Sequence, residues 1–286
     1  MVIERLEVDL AARARAAAQR AASAAGVSVR ELDGHEEFKA AQRLLKDVWE
    51  LSEPLVQGTQ MRALLHAGNF VSGAFRDADL VGISLGFLGW REGDLHLHSH
   101  VTGVVKGLQG RSVGFALKQY QRAWALEHDL DEVAWTFDPL VGRNGYFNIT
   151  KLGAEIVEYK TNFYGDLREG INGMDDTDRC VVSWRVASDR AVRAAEGSPD
   201  VIAAAPGGTT KVLSEDGDGS PKITLHDGAL LAARVPRDIV AMRAQAPATA
   251  TRWRHALREV LVWAFGEGFV VTGMTREGDY LLSRSR

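Results

Sequence analysis

The 286-residue sequence is 45% hydrophobic and 25% charged, a balance that supports a globular core of one large domain or two small ones. A net charge of −4 argues against nucleic acid or an anionic membrane as the main partner, and no apolar run approaches the ~20 residues that span a bilayer. The single cysteine, Cys180, excludes an intrachain disulfide and fits a reducing, cytoplasmic setting.

In chain order, the opening MVIERLEVDLAARARAAAQRAASAAG lacks the apolar centre of a signal peptide and carries Glu4, Glu7 and Asp9, unlike a transit peptide. It reads as an Ala-rich helix over 1–26, stopped by Gly26. A strand over 27–34 follows, then an amphipathic helix over 35–50 with Phe38, Ala41, Leu44, Leu45 and Val48 on one face. A shorter helix covers 58–69, and 70–90 reads as two antiparallel strands turning at Arg76-Asp-Ala-Asp79. The strand around LHLHSHVTGVV leads into GVVKGLQGRSVGFALK (103–118) and a helix running to about Glu127. Strands at 132–139, around KLGAEIVEY and at 178–186 complete a β-α-α-β-β-β-α-β-α-β-β order. That order predicts a mixed sheet with helices on both faces.

After Ala187 the texture changes. Residues 187–230 are rich in turn residues and predict a hairpin, and ATATRWRHALREVLVWAFGEG predicts a helix carrying Trp253, Leu257, Val260, Leu261 and Ala264 on one side. Two short strands, FVVTGM and DYLLSR, end the chain. The expected division is a helix over 1–26, a main domain over 27–186 and a smaller α+β module over 187–286, whose apolar helix face must dock on the main domain or on a second subunit.

Between strand and helix at 103–118 sit Gly107, Gly110 and Gly114, interleaved with Lys106 and Arg111. Such a turn can press backbone N–H groups against a phosphate, and it can equally be an ordinary tight loop. In its context, Gln109-Gly110-Arg111-Ser112-Val113-Gly114 resembles the Gln/Arg-x-x-Gly-x-Gly/Ala helix start of the GNAT superfamily of acyl-CoA-dependent N-acyltransferases, with Ser112 at one glycine position. WTFDPLVGRNGYFNITKLGAEIVEYKTNFYG (135–165), followed by Asp178, Arg179 and Trp184, is similar to one branch of predicted acetyltransferases in that superfamily.

The resemblance implies an α+β fold with a mainly antiparallel sheet and a splayed central strand pair. It implies an acyl-CoA co-substrate, held by Val104, Val105, Gln109, Gly110, Arg111, Ser112, Val113, Gly114, Asn144 and Asn148. Pyrophosphate would meet the N–H groups of residues 109–114, with Arg111 and Lys106 adding charge, and pantetheine would bond the strand end near Val104. The family's usual tyrosine acid falls here on Ile149, beside Asn148. Asn148 could bond the sulfur, and Tyr146 or Tyr164 could supply the proton.

Candidate bases are His100 and Asp138. Alternation puts His96, His98 and His100 on one strand face, and each is either a base or a hydrogen-bonded core group. Three alternate residues on a straight strand diverge, which disfavours a zinc site. Trp135 and Phe137 read as core, Asp178–Arg179 as a bracing ion pair, and Arg143 as a grip for a carboxylate. Cys180 has no evident base partner, so direct attack by the amine is expected. The implied function is transfer of acetyl or a similar short acyl group to the primary amine of a small molecule. N-succinyl transfer to amino acids and a non-catalytic CoA-binding module are the alternatives, and a homodimer is compatible with all three.

Overall fold

The computed structural model describes residues 2–91, 93–165 and 175–284, without the side chains of 2–8. In chain order the elements begin α1 (Val2–Ala24), β1 (Ser28–Glu31), α2 (Gly34–Trp49), α3 (Gly58–His66), β2 (Phe70–Arg76), β3 (Asp79–Arg91) and β4 (Asp94–Val104). They continue with α4 (Val113–Glu127), β5 (Glu132–Phe137), α5 (Gly142–Tyr146) with the π-helical turn Phe147–Lys151, β6 (Glu155–Lys160) and β7 (Arg179–Arg185). The remainder is α6 (Asp189–Ala195), β8 (Thr210–Glu215), β9 (Pro221–Ile223), β10 (Leu231–Arg234), α7 (Ile239–Gln245), α8 (Pro247–Gly266), β11 (Phe269–Met274) and β12 (Asp279–Arg284). The fold is α+β. Hydrogen bonding orders one sheet β1-β2-β3-β4-β5-β7-β6 and a second β11-β12-β10-β8-β9. Among the described residues no helix is long and apolar enough to cross a membrane.

Two compact units are present, one of residues 1–135 and 184–198, the other of 136–183 and 199–286. In the first, β1 to β4 form an antiparallel meander and β5 lies parallel to β4. Alternation along β2, together with a bulge that leaves Val81 as an extra residue on β3, sends residues to two cores. Val71, Ile83 and Leu85 pack with Phe38, Ala41, Leu44 and Leu45 of α2, while Ala74 and Val81 pack with Val113, Ala116 and Leu117 of α4. Each fully buried leucine of this kind contributes roughly 1.5–3 kcal/mol. Asp33 caps α2 by accepting the Gly34 N–H at 2.8 Å, and Glu37 returns the bond to Asp33 N–H at 2.7 Å. Gly82 sets how close α4 comes to the sheet: an added Cβ would lie 3.0 Å from Leu117 Cδ1 and 3.3 Å from Val113 Cγ1.

In the second unit, β6 and β7 pair antiparallel, and the second sheet buries Val212, Leu213, Leu231, Leu281 and Leu282. The hairpin expected in 187–230 is β8–β9, and the expected apolar helix is α8, with Trp253, Val260 and Leu261 fully buried. Two elements escape the sequence reading. The short helix α6 starts at Ser188, whose hydroxyl accepts the Ala191 N–H at 3.3 Å, and four-residue β10 pairs parallel with β8.

Candidate functional site

The end of β4 is defined by its register. Gly82 to Leu85 pair with Val104 to Val101, and Val105 continues the ladder by donating its N–H to Val81 O at 3.0 Å. Backbone groups of successive strand residues point to opposite edges. With Val105 and Gly103 turned towards β3, the N–H and C=O groups of Thr102 and Val104 face the β5 side. There, among the described residues, β4 and β5 pair at Leu97–Val133 and His98–Ala134 and nowhere further along. The strands therefore part after two rungs, and Val104 sits on the open edge. Val105 does not: its N–H is spent on β3 and is closed to a ligand.

The turn to α4 is built from left-handed backbone. Gly107 and Gly110 have φ of 88° and 77°, and Ser112, the N-cap, has φ 64° with no side-chain capping bond. A non-glycine residue in that region costs free energy, and its hydroxyl is left for another acceptor. The first helical bond is Ala116 N–H to Ser112 O at 3.0 Å. By helix geometry the N–H groups of Val113, Gly114 and Phe115 have no intrahelical acceptor. Arg111 N–H is used within the turn, on Leu108 O at 3.2 Å, so Arg111 offers its side chain alone. Gln109 Nε2 lies 3.4 Å from Val104 O and so tethers the loop to the open strand edge. Lys106 is ion-paired with Glu50, which discounts its charge. Gly114 faces open space, with only Val104 Cγ2 at 3.9 Å from an added Cβ.

β4 is not straight. Its register with β3 shifts between Leu85 and Gly86, which pair with Val101 and Ser99, so His100 is an extra residue in a bulge. The bulge does not take His100 off the face expected for the three histidines, since it shares the Phe87 ring with His98 and His96 lies opposite Gly89 on the same side. His98 and His100 meet at 6.4 Å and flank the Phe87 ring at 5.0 and 5.7 Å. His96 is buried, its ring filling the space over Gly89, and its Nδ1 has no hydrogen-bond partner among the described residues. Desolvation lowers the pKa of His100, although the residue is exposed at the surface. Desolvation, then the His100, His96 and Lys118 charges, brings His98 down to about 4. Both rings are neutral at pH 7, the form that accepts a proton. Among the described residues no three His, Cys, Asp or Glu side chains converge as a metal site.

In the second unit the structure reassigns Asp138. Its Oδ1 and Oδ2 accept from Arg254 at 2.9 Å each, Oδ2 from Arg243 at 2.6 Å, and Oδ1 from Leu140 N–H at 3.0 Å. Burial alone would raise its pKa, but the Arg254 and Arg243 charges and hydrogen bonds hold it at about 2. A carboxylate so occupied is a structural anchor, not a general base. Asp178 likewise pairs with Arg258, at 2.7 and 2.8 Å, while Arg179 donates to the Asp178 carbonyl, so among the described residues the expected Asp178–Arg179 ion pair is replaced.

Tyr164 places its hydroxyl 3.3 Å from Thr136 Oγ1 on β5, with Arg179 over its ring. Asn148 is buried in the π-helical turn, where its carbonyl accepts the Ala154 N–H at 3.0 Å, and Ile149 beside it is core. Asn144 is exposed on α5. Arg143 borders a depression of about 450 Å³ with Tyr146, Lys151, Arg237 and Arg276, and Arg276 Nε donates to the Tyr146 hydroxyl at 3.3 Å. Burial pushes the Cys180 thiol far up, which leaves it inert as a nucleophile.

No family model matches the chain, and no curated protein matches it. Solved structures similar to it include an acetyltransferase of the GNAT family from Streptococcus pneumoniae, 14% identical over 55% of this chain and 97% of that one, TM-score 0.45. Another is the ribosomal-protein-S18-alanine N-acetyltransferase from Escherichia coli, 10% identical over 57% and 95%, TM-score 0.45. A third is Arabidopsis thaliana Naa50 in complex with the bisubstrate analogue CoA-Ac-MVNAL, 18% identical over 55% and 97%, TM-score 0.41. Below a TM-score of 0.5 such likenesses carry no weight.

Proposed function

We propose that this chain is an acyl-CoA-dependent N-acyltransferase that moves acetyl or a similar short acyl group to a primary amine of a small molecule. The observation that carries the reading is the edge of β4. Thr102 and Val104 turn their backbone groups towards a strand that has already parted from β4, and the same strand then runs into a helix start rich in unengaged N–H groups. An extended ligand with amide groups and an anionic end fits that sequence of partners. The amides of pantetheine would bond Thr102 and Val104 as a neighbouring strand would. Its pyrophosphate would take N–H groups from Val113 and Gly114, the Ser112 hydroxyl and the Arg111 guanidinium. Gln109, Gly110 and Ser112 shape that loop by the tether and left-handed φ values described above.

His100 is the preferred base, because the bulge turns it out of the ladder and desolvation keeps it neutral. The resemblance alone offers Tyr164 as the proton donor to the leaving thiolate and Asn144 and Asn148 as further contacts. Residues 27–186 as the acyl-CoA-binding part, 187–286 as an appended module and a cytoplasmic location belong to the same proposal.

The test is turnover. The full chain, given acetyl-CoA and a panel of primary amines, is expected to release free thiol only when an accepted amine is present. CoA binding without thiol release across the panel would leave a binding module in place of an enzyme.

A further inference from the structure

The ladder between β4 and β5 ends at His98 and Ala134. The next residue on each strand, Ser99 and Trp135, meets one and the same atom, the Nζ of Lys118 on α4. Nζ donates to Ser99 Oγ at 2.8 Å and to Gln121 Oε1 at 3.0 Å, and it stands 3.9 Å from the centroid of the Trp135 ring. All three of these partners are uncharged. Lys118 is only 5% exposed.

An amine in that position is expensive. Burying an ammonium against neutral groups penalises its charged form, and burial lowers the Lys118 pKa to about 7. A side chain of this length on a helix ordinarily carries its head out to water. Methionine or leucine would fill the same volume without that penalty, so the amine calls for a local role, and its partners Ser99 and Trp135 lie on the two strands that separate there.

We propose that Lys118 is the positioning residue that holds β4 and β5 apart. Bonded to the residue that follows the last β4–β5 rung on one strand and seated on the ring of its counterpart on the other, it acts as a wedge between their side chains. What it keeps open is the run of Thr102 and Val104 backbone groups assigned above to pantetheine, so its functional meaning rests on the acyl-CoA reading. Ser99 immediately precedes the bulged His100, so the same hydrogen bond also fixes the strand where the candidate base emerges.

The experiment is amide hydrogen exchange by NMR on the full chain. Lys118→Met keeps the volume and removes both hydrogen bonds; Ser99→Ala removes one of them with less disturbance. In Lys118→Met the Thr102 and Val104 amides are expected to exchange at least tenfold more slowly, because β5 closes onto them, and CoA affinity to fall at least tenfold. Ser99→Ala is expected to show the same signs with smaller size. A role in general stability alone would speed exchange at Thr102 and Val104 together with Gly103 and Val105, the opposite sign. Unchanged or faster exchange at Thr102 and Val104 overturns the proposal, and Ser99→Ala decides by the same criterion should Lys118→Met fail to fold. A wild-type chain that does not bind CoA would sink the acyl-CoA reading while the exchange contrast still reports on the wedge.

Discussion

Arg254 lays two nitrogens on Asp138, Nη1 to Oδ1 and Nη2 to Oδ2, each at 2.9 Å, and both residues are buried. Removing one partner of a buried pair strands the other charge, at a cost of about 3–5 kcal/mol. Arg254→Met should fall near the lower end, since Arg243 still bonds Asp138. The pH dependence follows from the carboxyl being held at about 2 when folded, below its unfolded value of about 3.9. Its stabilisation is complete above the unfolded value and is lost as pH falls towards the folded one. Urea unfolding between pH 2 and 5 should show this loss in the wild type and less of it in Arg254→Met. Identical acid limbs would show that the pair carries no linked proton.

At the turn before α4, Gly114→Ala should fold at least as well as wild type, because the new methyl meets nothing closer than 3.9 Å and alanine favours a helix by roughly 0.5–1 kcal/mol. The same methyl stands where a phosphate would approach the helix start, so CoA affinity is expected to drop by about tenfold. Arg111→Glu should lower it further by reversing a charge-assisted contact, by roughly 1.5–3 kcal/mol or more. Calorimetry showing wild-type affinity in both folded variants would remove the turn from the ligand site.

His100→Gln should reduce the turnover number and leave CoA affinity unchanged. The pKa of His100 lies below its ordinary value, so the wild-type rate should stay high at pH 7 and decline on an acidic limb that falls below about 6.5. That limb should vanish in the variant. A pH–rate profile that keeps its acidic limb would return the role to His98 or to a group outside the bulge.

How much of this was legible depended on the distance over which each feature is decided. α2 is local: Phe38, Ala41, Leu44 and Leu45 recur at helical spacing, and Asp33 and Glu37 mark its start. The β4–α4 turn is local as well, because Gly107 and Gly110 announce its left-handed backbone. The bulge at His100 belongs to the register with β3 and leaves no mark in LHLHSH itself. Asp138 looked like a base because its anchors, Arg243 and Arg254, stand 105 and 116 residues further on. Other positions in the run quoted around it are also answered from afar. Pro139 O accepts from the Tyr280 hydroxyl at 2.8 Å, and Gly145 leaves room for Tyr280 and Met274. The one sequence hint of Lys118 was a lysine directly after Leu117 in a helix whose apolar positions leave little polar face.

Lys118 makes a prediction about stability that does not depend on any ligand. Its pKa of about 7 in the folded chain lies below the ~10.4 of an unfolded lysine. Between those values the unfolded chain holds a proton that the folded chain has released, so this group makes stability rise with pH across that window. The rise from one such group approaches about 1.4 kcal/mol per pH unit. Below pH 7 the folded amine is protonated too, and the penalty of burying its charge is at its fullest. Lys118→Met removes the titrating group, so the difference in unfolding free energy between wild type and variant should change steadily from pH 7 to 10, in favour of the wild type. Guanidinium unfolding at half-unit steps across that range provides the curve. A difference that stays flat would mean that Lys118 is not buried as an amine among neutral partners, and the wedge at the parting of β4 and β5 would lose its physical basis.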